Sequence, residues 1–306
     1  MKTSRNPRSF LLVSAIAAFC GSPALAAEKP PLAVTVSAGA EYDSNVSIEQ
    51  SDVNTRQGDV AALLSASADW TIVSNRKASL RIGYDFEQTL YEDKSDFDLQ
   101  IHGFSTGGSI TRGKATLGVD YQFSHVLLGG DKFLDIHMVS PSVGVFVADR
   151  VYVRAAYTYW DKSFATSEKL DARTHTIGGD IYRFFGKRKS YVALGVRYDD
   201  EDADGAEYRY RAVQGTIRAQ MPVHLLGMDA KARFSAALSD RNYRNDTPSI
   251  GKPRRETRST WNAALDLPLS GHISLKPQFR FIDRTSNLPV ADYREYIGST
   301  SLQYRF

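Results

Sequence analysis

Beyond its N-terminal segment the chain alternates apolar and polar residues with a period of two, over segments of roughly ten to fourteen residues. That period is the mark of a strand whose two faces meet different surroundings. Leu80, Ile82, Tyr84 and Phe86 oppose Arg81, Gly83, Asp85 and Glu87; Ala115, Leu117, Val119, Tyr121 and Phe123 oppose Thr116, Gly118, Asp120 and Gln122. Later come Met228, Ala230, Ala232, Phe234, Ala236 and Leu238 against Asp229, Lys231, Arg233 and Ser235. Trp261, Ala263, Leu265, Leu267 and Leu269 follow, then Ile273, Leu275, Phe279 and Phe281 against Ser274, Lys276, Gln278 and Arg280. Connections alternate in length. Short turns fall at 74–76, 112–113, 149–150, 186–188, 226–227 and 270–271, and longer polar loops at 43–58, 92–98, 129–135, 161–171, 199–207, 242–257 and 286–292. Six turns and seven loops connect fourteen strands.

A soluble sandwich also alternates, so the ends of the segments decide. Aromatic residues gather there, at Tyr42, Trp70, Tyr91, Tyr159, Trp261 and Tyr304, as in the interfacial girdles of membrane barrels. No later stretch stays apolar long enough for a membrane helix, but a closed sheet crosses a bilayer by pairing every backbone group between strands. The expected fold is all-β: a transmembrane antiparallel β-barrel of about fourteen strands in an outer membrane, with short periplasmic turns and longer extracellular loops. Tyr296, Thr300, Leu302, Tyr304 and Phe306 close the chain; Tyr304 and the terminal Phe306 are the expected signal to the barrel-assembly machinery. Glycines and displaced polar residues blur the parity of Leu99 to Ile110 and Thr174 to Phe184, leaving the count open by two.

The first residues carry an export signal. Lys2, Arg5 and Arg8 precede the apolar run Phe10 to Phe19, then Pro23 and Ala24-Leu25-Ala26, with cleavage expected after Ala26 or Ala27. The chain divides into a signal peptide at 1–27 and a barrel at 28–306. Cys20, the only cysteine, raises a lipoprotein alternative, against which Phe19 stands where a small residue is expected. Cleavage removes three cations and leaves 35 basic residues against 35 acidic ones, a balance that gives no support to nucleic-acid binding.

If apolar residues face lipid, the other parity faces a lumen. Strands one to five then direct Glu41, Asp69, Asp85, Glu87 and Asp120 inward, with Arg81 the one cation. Strands seven to fourteen direct in Arg154, Arg197, Arg218, Lys231, Arg233, Lys276, Arg280 and Arg305 against Asp180 and Asp266. Such walls impose a transverse field on solutes or pair with each other and brace the sheet. Outside, the run 199–204 reads as a solvated acidic loop bridged by divalent ions to lipopolysaccharide, and Arg254-Arg255 as a contact for its phosphates. His137 and Ser140 face opposite sides, and His272 with Ser274 lacks a partner acid, so no catalytic residues are assigned. The sequence names no metal site, cofactor or enzyme activity; the expected partners are membrane lipid, lipopolysaccharide and the assembly machinery.

Gly39 to Val46, then Arg284-Thr285-Ser286-Asn287, Tyr293-Arg294 and Tyr304-Arg305-Phe306, resemble the barrel domain of surface lipoprotein assembly modifiers. The resemblance implies a fourteen-stranded barrel that helps move lipoproteins to the cell surface. It covers the barrel only: members of that kind carry a helical-repeat periplasmic domain, and no helix-pair repeat is read in this sequence. A surface lipoprotein is thus the implied cargo, and a porin-like channel for small polar solutes the alternative.

Overall fold

The computed structural model describes residues 31–48 and 53–306, so the expected signal peptide lies outside the described residues. The strands are β1 (Leu32–Asp43), the short β2 (Ser47–Ile48) and β3 (Val53–Asn54), β4 (Asp59–Ser74), β5 (Ala78–Tyr91), β6 (Leu99–Arg112), β7 (Ala115–Leu128), β8 (Asp131–Ala148), β9 (Val151–Phe164), β10 (Ala172–Phe185), β11 (Ser190–Ala203), β12 (Tyr210–Leu225), β13 (Met228–Thr247), β14 (Lys252–Pro268), β15 (Ile273–Ser286) and β16 (Tyr293–Arg305). All but β2 and β3 form one closed antiparallel barrel of fourteen strands, each paired with its sequence neighbours. A ladder from Thr35↔Arg305 to Asp43↔Ile297 seals β1 to β16.

One rim carries tight turns built by local chemistry. Leu226 and Gly227 adopt φ of 52° and 77°, the two left-handed residues of a type I′ hairpin. Asn75 turns β4 into β5 by accepting the Lys77 and Ala78 amides on Oδ1 at 2.8 and 2.9 Å. At the other rim the connection 92–98 is as the sequence pattern suggests, and several others are shorter. The expected loop 129–135 is only the turn Gly129-Gly130, β11 runs on to Ala203, and β13 and β14 run to Thr247 and from Lys252. The cause is visible on β13: its outward residues are Ala232, Phe234, Ala236 and Leu238, then Asp240, Asn242 and Arg244. Above the apolar band both faces are polar, so alternation vanishes while the hydrogen-bonded ladder continues.

The outward parity is rich in exposed Leu, Val, Ile and Phe, inverted relative to a water-soluble protein and as a lipid-facing wall requires. Tyr42, Trp70, Trp261 and Tyr304 are exposed there. On one half the girdle repeats a cross-strand pair: Tyr84 with His102, Tyr121 with His137 and Tyr157 with His175, hydrogen-bonded at 2.9, 2.9 and 2.6 Å. Tyr91 departs from the girdle, because it shares the parity of Asp85 and Glu87 and lines the lumen.

The long-loop rim has its own core. Three loops fold back onto the strand they leave, with Asp98, Asp171 and Asp292 accepting the amides of Tyr91, Phe164 and Ser286. The hairpin β2–β3 turns into the mouth. Ile48 is buried with Leu99, Val126, Leu128, Phe133, Leu134, Ile136 and Phe164, roofing part of the barrel with apolar side chains.

Candidate functional site

The lumen gathers the charged residues. Glu41, Asp69, Asp85, Glu87, Asp120, Arg154, Arg197, Arg218, Lys231, Arg233, Lys276, Arg280 and Arg305 lie on the parity of the cavity-lining residues of their strands. Several are spent on ion pairs along the wall. Arg81 on β5 reaches Asp120 on β7 at 3.1 Å, and Arg218 on β12 reaches Asp180 on β10. Each pair steps over a glycine of the strand between: a Cβ at Gly107 or Gly195 would collide with the Asp120 or Asp180 carboxylate. The glycines that blur the alternation of β6 and leave a gap in β11 are therefore windows for side chains crossing a strand. Arg233 pairs with Asp266 at 3.3 Å, and Lys276 stands 3.9 Å from the same carboxylate. At the short-turn rim Tyr152, Tyr182 and Phe184 pack with Phe146 and Tyr191 inside the lumen.

The residues that the sequence reading places in outer loops include the most buried charges. Arg254, expected to meet lipopolysaccharide phosphate, is instead 2% exposed inside the barrel. Its Nε donates to Glu256 Oε1 at 2.5 Å, and its guanidinium stacks on Tyr243. Glu256 also accepts two hydrogen bonds from Arg284 Nη2, both at 2.9 Å, and has Arg241 Nη1 at 3.6 Å. Nor is 199–204 a solvated loop. Asp199 and Glu201 are buried in the lumen, Glu201 taking Lys162 at 2.6 Å and the Tyr210 hydroxyl at 2.9 Å. Asp200 and Asp202 point outward to Arg211 and Arg209. Carboxylates thus interleave with the cations of the basic wall. The signal for these residues was parity carried onward: Arg254, Glu256, Arg258 and Thr260 continue one face of β14 past Trp261.

The acidic side differs. Among the described residues no ion pair reaches Glu41, Asp69, Asp85 or Glu87. Higher up, Asp43 and Glu295 are buried, and Glu295 accepts Ser47 Oγ at 3.1 Å, which ties the inturned hairpin to the last strand. Three adjoining cavities of about 390, 440 and 450 Å³ lie in the lumen. Tyr304 and Phe306 lie outward at the short-turn rim; their rings meet edge to face at 4.8 Å, and the Phe306 amide donates to Val34 O at 3.0 Å. His272 accepts no acid there: it stacks on Tyr304, with Nδ1 2.8 Å from Arg305 O. Among the described residues no His, Cys, Asp and Glu side chains are grouped as metal ligands.

A family profile described as surface lipoprotein assembly modifier matches residues 37–303, from β1 to the end of β16. The chain belongs to the surface lipoprotein assembly modifier family. No curated protein matches it significantly. Among solved structures, a loop L8 deletion mutant of OmpT, an outer membrane protein of Vibrio cholerae, is similar at TM-score 0.50 and 7% identity, covering 90% of this chain and 99% of that one. An anion-selective porin from Comamonas acidovorans gives TM-score 0.49 at 9% identity, over 90% of this chain and 98% of the porin. The likeness to the OmpT variant is one of fold alone. Family and fold together make this chain an outer-membrane barrel.

Proposed function

We propose that the barrel acts in the transfer of surface lipoproteins across the outer membrane. The observation that carries this reading is the family match over 37–303, a stretch made of the barrel itself. The geometry narrows how it would act. Cavities of about 390 to 450 Å³ under an apolar roof hold an extended segment, not a folded domain. Deleting the gene in its native host should strip lipoproteins from the surface, read by protease shaving of intact cells, while their total amounts persist. Unchanged surface display would overturn the reading.

A porin-like channel for small polar solutes is the second reading, favoured by the carboxylates of β1, β4 and β5 that face the lumen without ion pairs. Side-chain charges in a pore act strongly on permeating ions. Replacing Asp85 and Glu87 by their amides should shift selectivity toward anions in planar bilayers, while Leu265→Ala on the lipid face should not. Absence of conductance from folded protein would exclude the channel.

A further inference from the structure

The cavity beneath the inturned hairpin brings together carboxylates without ion pairs, an arginine and an apolar side. Glu41 on β1 and Glu87 on β5 line it, and neither has a hydrogen-bond or ion-pair partner among the described residues. Arg280 on β15 lines it too, its Nε held by Asn262 Oδ1 at 2.9 Å. Val46, Ile48, Phe97, Leu99 and Leu128 supply an apolar side, with Val46 and Ile48 each 1% exposed and so fixed in place. Elsewhere several inward charges neutralise one another, as Arg81 with Asp120 and Arg284 with Glu256 do. Here no ion pair closes the gap between Arg280 and the two glutamates, although all three line one cavity. Opposite charges that face open space, beside a preformed apolar surface, are complementary to a ligand bearing both charges and an apolar group. A volume of about 440 Å³ admits one.

We propose that this chamber binds zwitterionic solutes of the α-amino-acid type with an apolar side chain: the ammonium at Glu41 and Glu87, the carboxylate at Arg280, and the side chain against Val46, Ile48 and Phe97. The site goes beyond lipoprotein transfer and stands or falls separately from it, because its test uses purified barrel and small molecules. The guanidinium, fixed by Asn262, offers its remaining donors to a carboxylate. The two glutamates hold an ammonium, which donates three hydrogen bonds.

The experiment is calorimetric titration of the folded barrel in detergent with L-leucine, 3-methylbutylamine, 4-methylpentanoate and glycine, which remove the carboxylate, the ammonium and the side chain in turn. Leucine should bind at least about tenfold more tightly than each, a difference of about 1.4 kcal/mol. Arg280→Gln should reduce leucine to the level of 3-methylbutylamine, and the double variant Glu41→Gln, Glu87→Gln should reduce it to that of 4-methylpentanoate. Ile48→Ser, which leaves the charges in place, should erase the preference for leucine over glycine. Folding of each variant is checked by heat-modifiable mobility, with Arg280→Lys substituted if Arg280→Gln fails to fold. Equal affinity for all four compounds, or no leucine binding at up to about ten times a Kd of 1 mM, overturns the site.

Discussion

Three guanidiniums converge on Glu256, and Glu256→Gln tests whether that arrangement holds the outer barrel together. Its side chain is 3% exposed, and those of Arg254 and Arg284 are 2% and 1% exposed. Two hydrogen bonds from Arg284 at 2.9 Å and one from Arg254 at 2.5 Å converge on it. A unit charge pair about 4 Å apart is worth about 4 kcal/mol at an effective dielectric of 20. Breaking a buried pair from one side costs about 3–5 kcal/mol, because the other charge stays buried and unpaired. The substitution keeps size and one acceptor, so the expected loss is about 3–5 kcal/mol, read as a lower urea midpoint for the barrel in lipid vesicles. Removing one of the cations as well should recover part of it: Glu256→Gln with Arg284→Met should be more stable than the two single changes sum to. If Glu256→Gln alone stays within about 0.5 kcal/mol of wild type, as surface substitutions do, lumen water solvates these charges and the buried network is no brace.

Gly107→Val should destabilise the barrel by about 1–3 kcal/mol in the same assay by overpacking the Arg81–Asp120 pair, while Gly215→Ala, with nothing near its new methyl, should not. A cysteine at Asp202 should react with an impermeant thiol reagent on intact cells, whereas one at Glu201, buried in the lumen, or at Arg112, on the short-turn rim, should stay protected. Deleting Phe306 should lower the amount of heat-modifiable barrel in the outer membrane with signal cleavage intact; normal levels would show that the last residue gives no assembly signal.

The membrane band was legible because lipid on one face and water on the other force a period of two. Leu117 to Phe123 and Ile273 to Phe281 read directly as strands, and their inward partners followed. Three things escaped that reasoning. Where strands leave the bilayer, both faces are polar, so Asp199, Glu201 and Arg254 resemble loop residues, although the first two are paired in the sheet and Arg254 lies on β14 at its bulge with β13. Glycines such as Gly107 seemed to break a strand, when they admit an ion pair from its neighbours. The inturned hairpin places Ile48 in an apolar cluster with side chains of β6, β7, β8 and β9, which reaches from residue 48 to residue 164 and which no local pattern encodes. Tyr91 matches the girdle in residue type, but the parity of its own strand turns it inward.

The unequal strand lengths tilt the outer mouth. A strand of 20 residues such as β13 measures about 68 Å at about 3.4 Å per residue. Inclined at about 40° it rises about 52 Å, against a hydrocarbon layer of about 30 Å. The 14 residues of β5 rise only about 36 Å by the same reckoning. The rim therefore climbs toward the hairpin of β13 and β14 like a parapet with one high side. Anything approaching from outside meets Arg244, Asp246 and Lys252 well above the lipid headgroups, before it reaches the lower doorway beside β2 and β3.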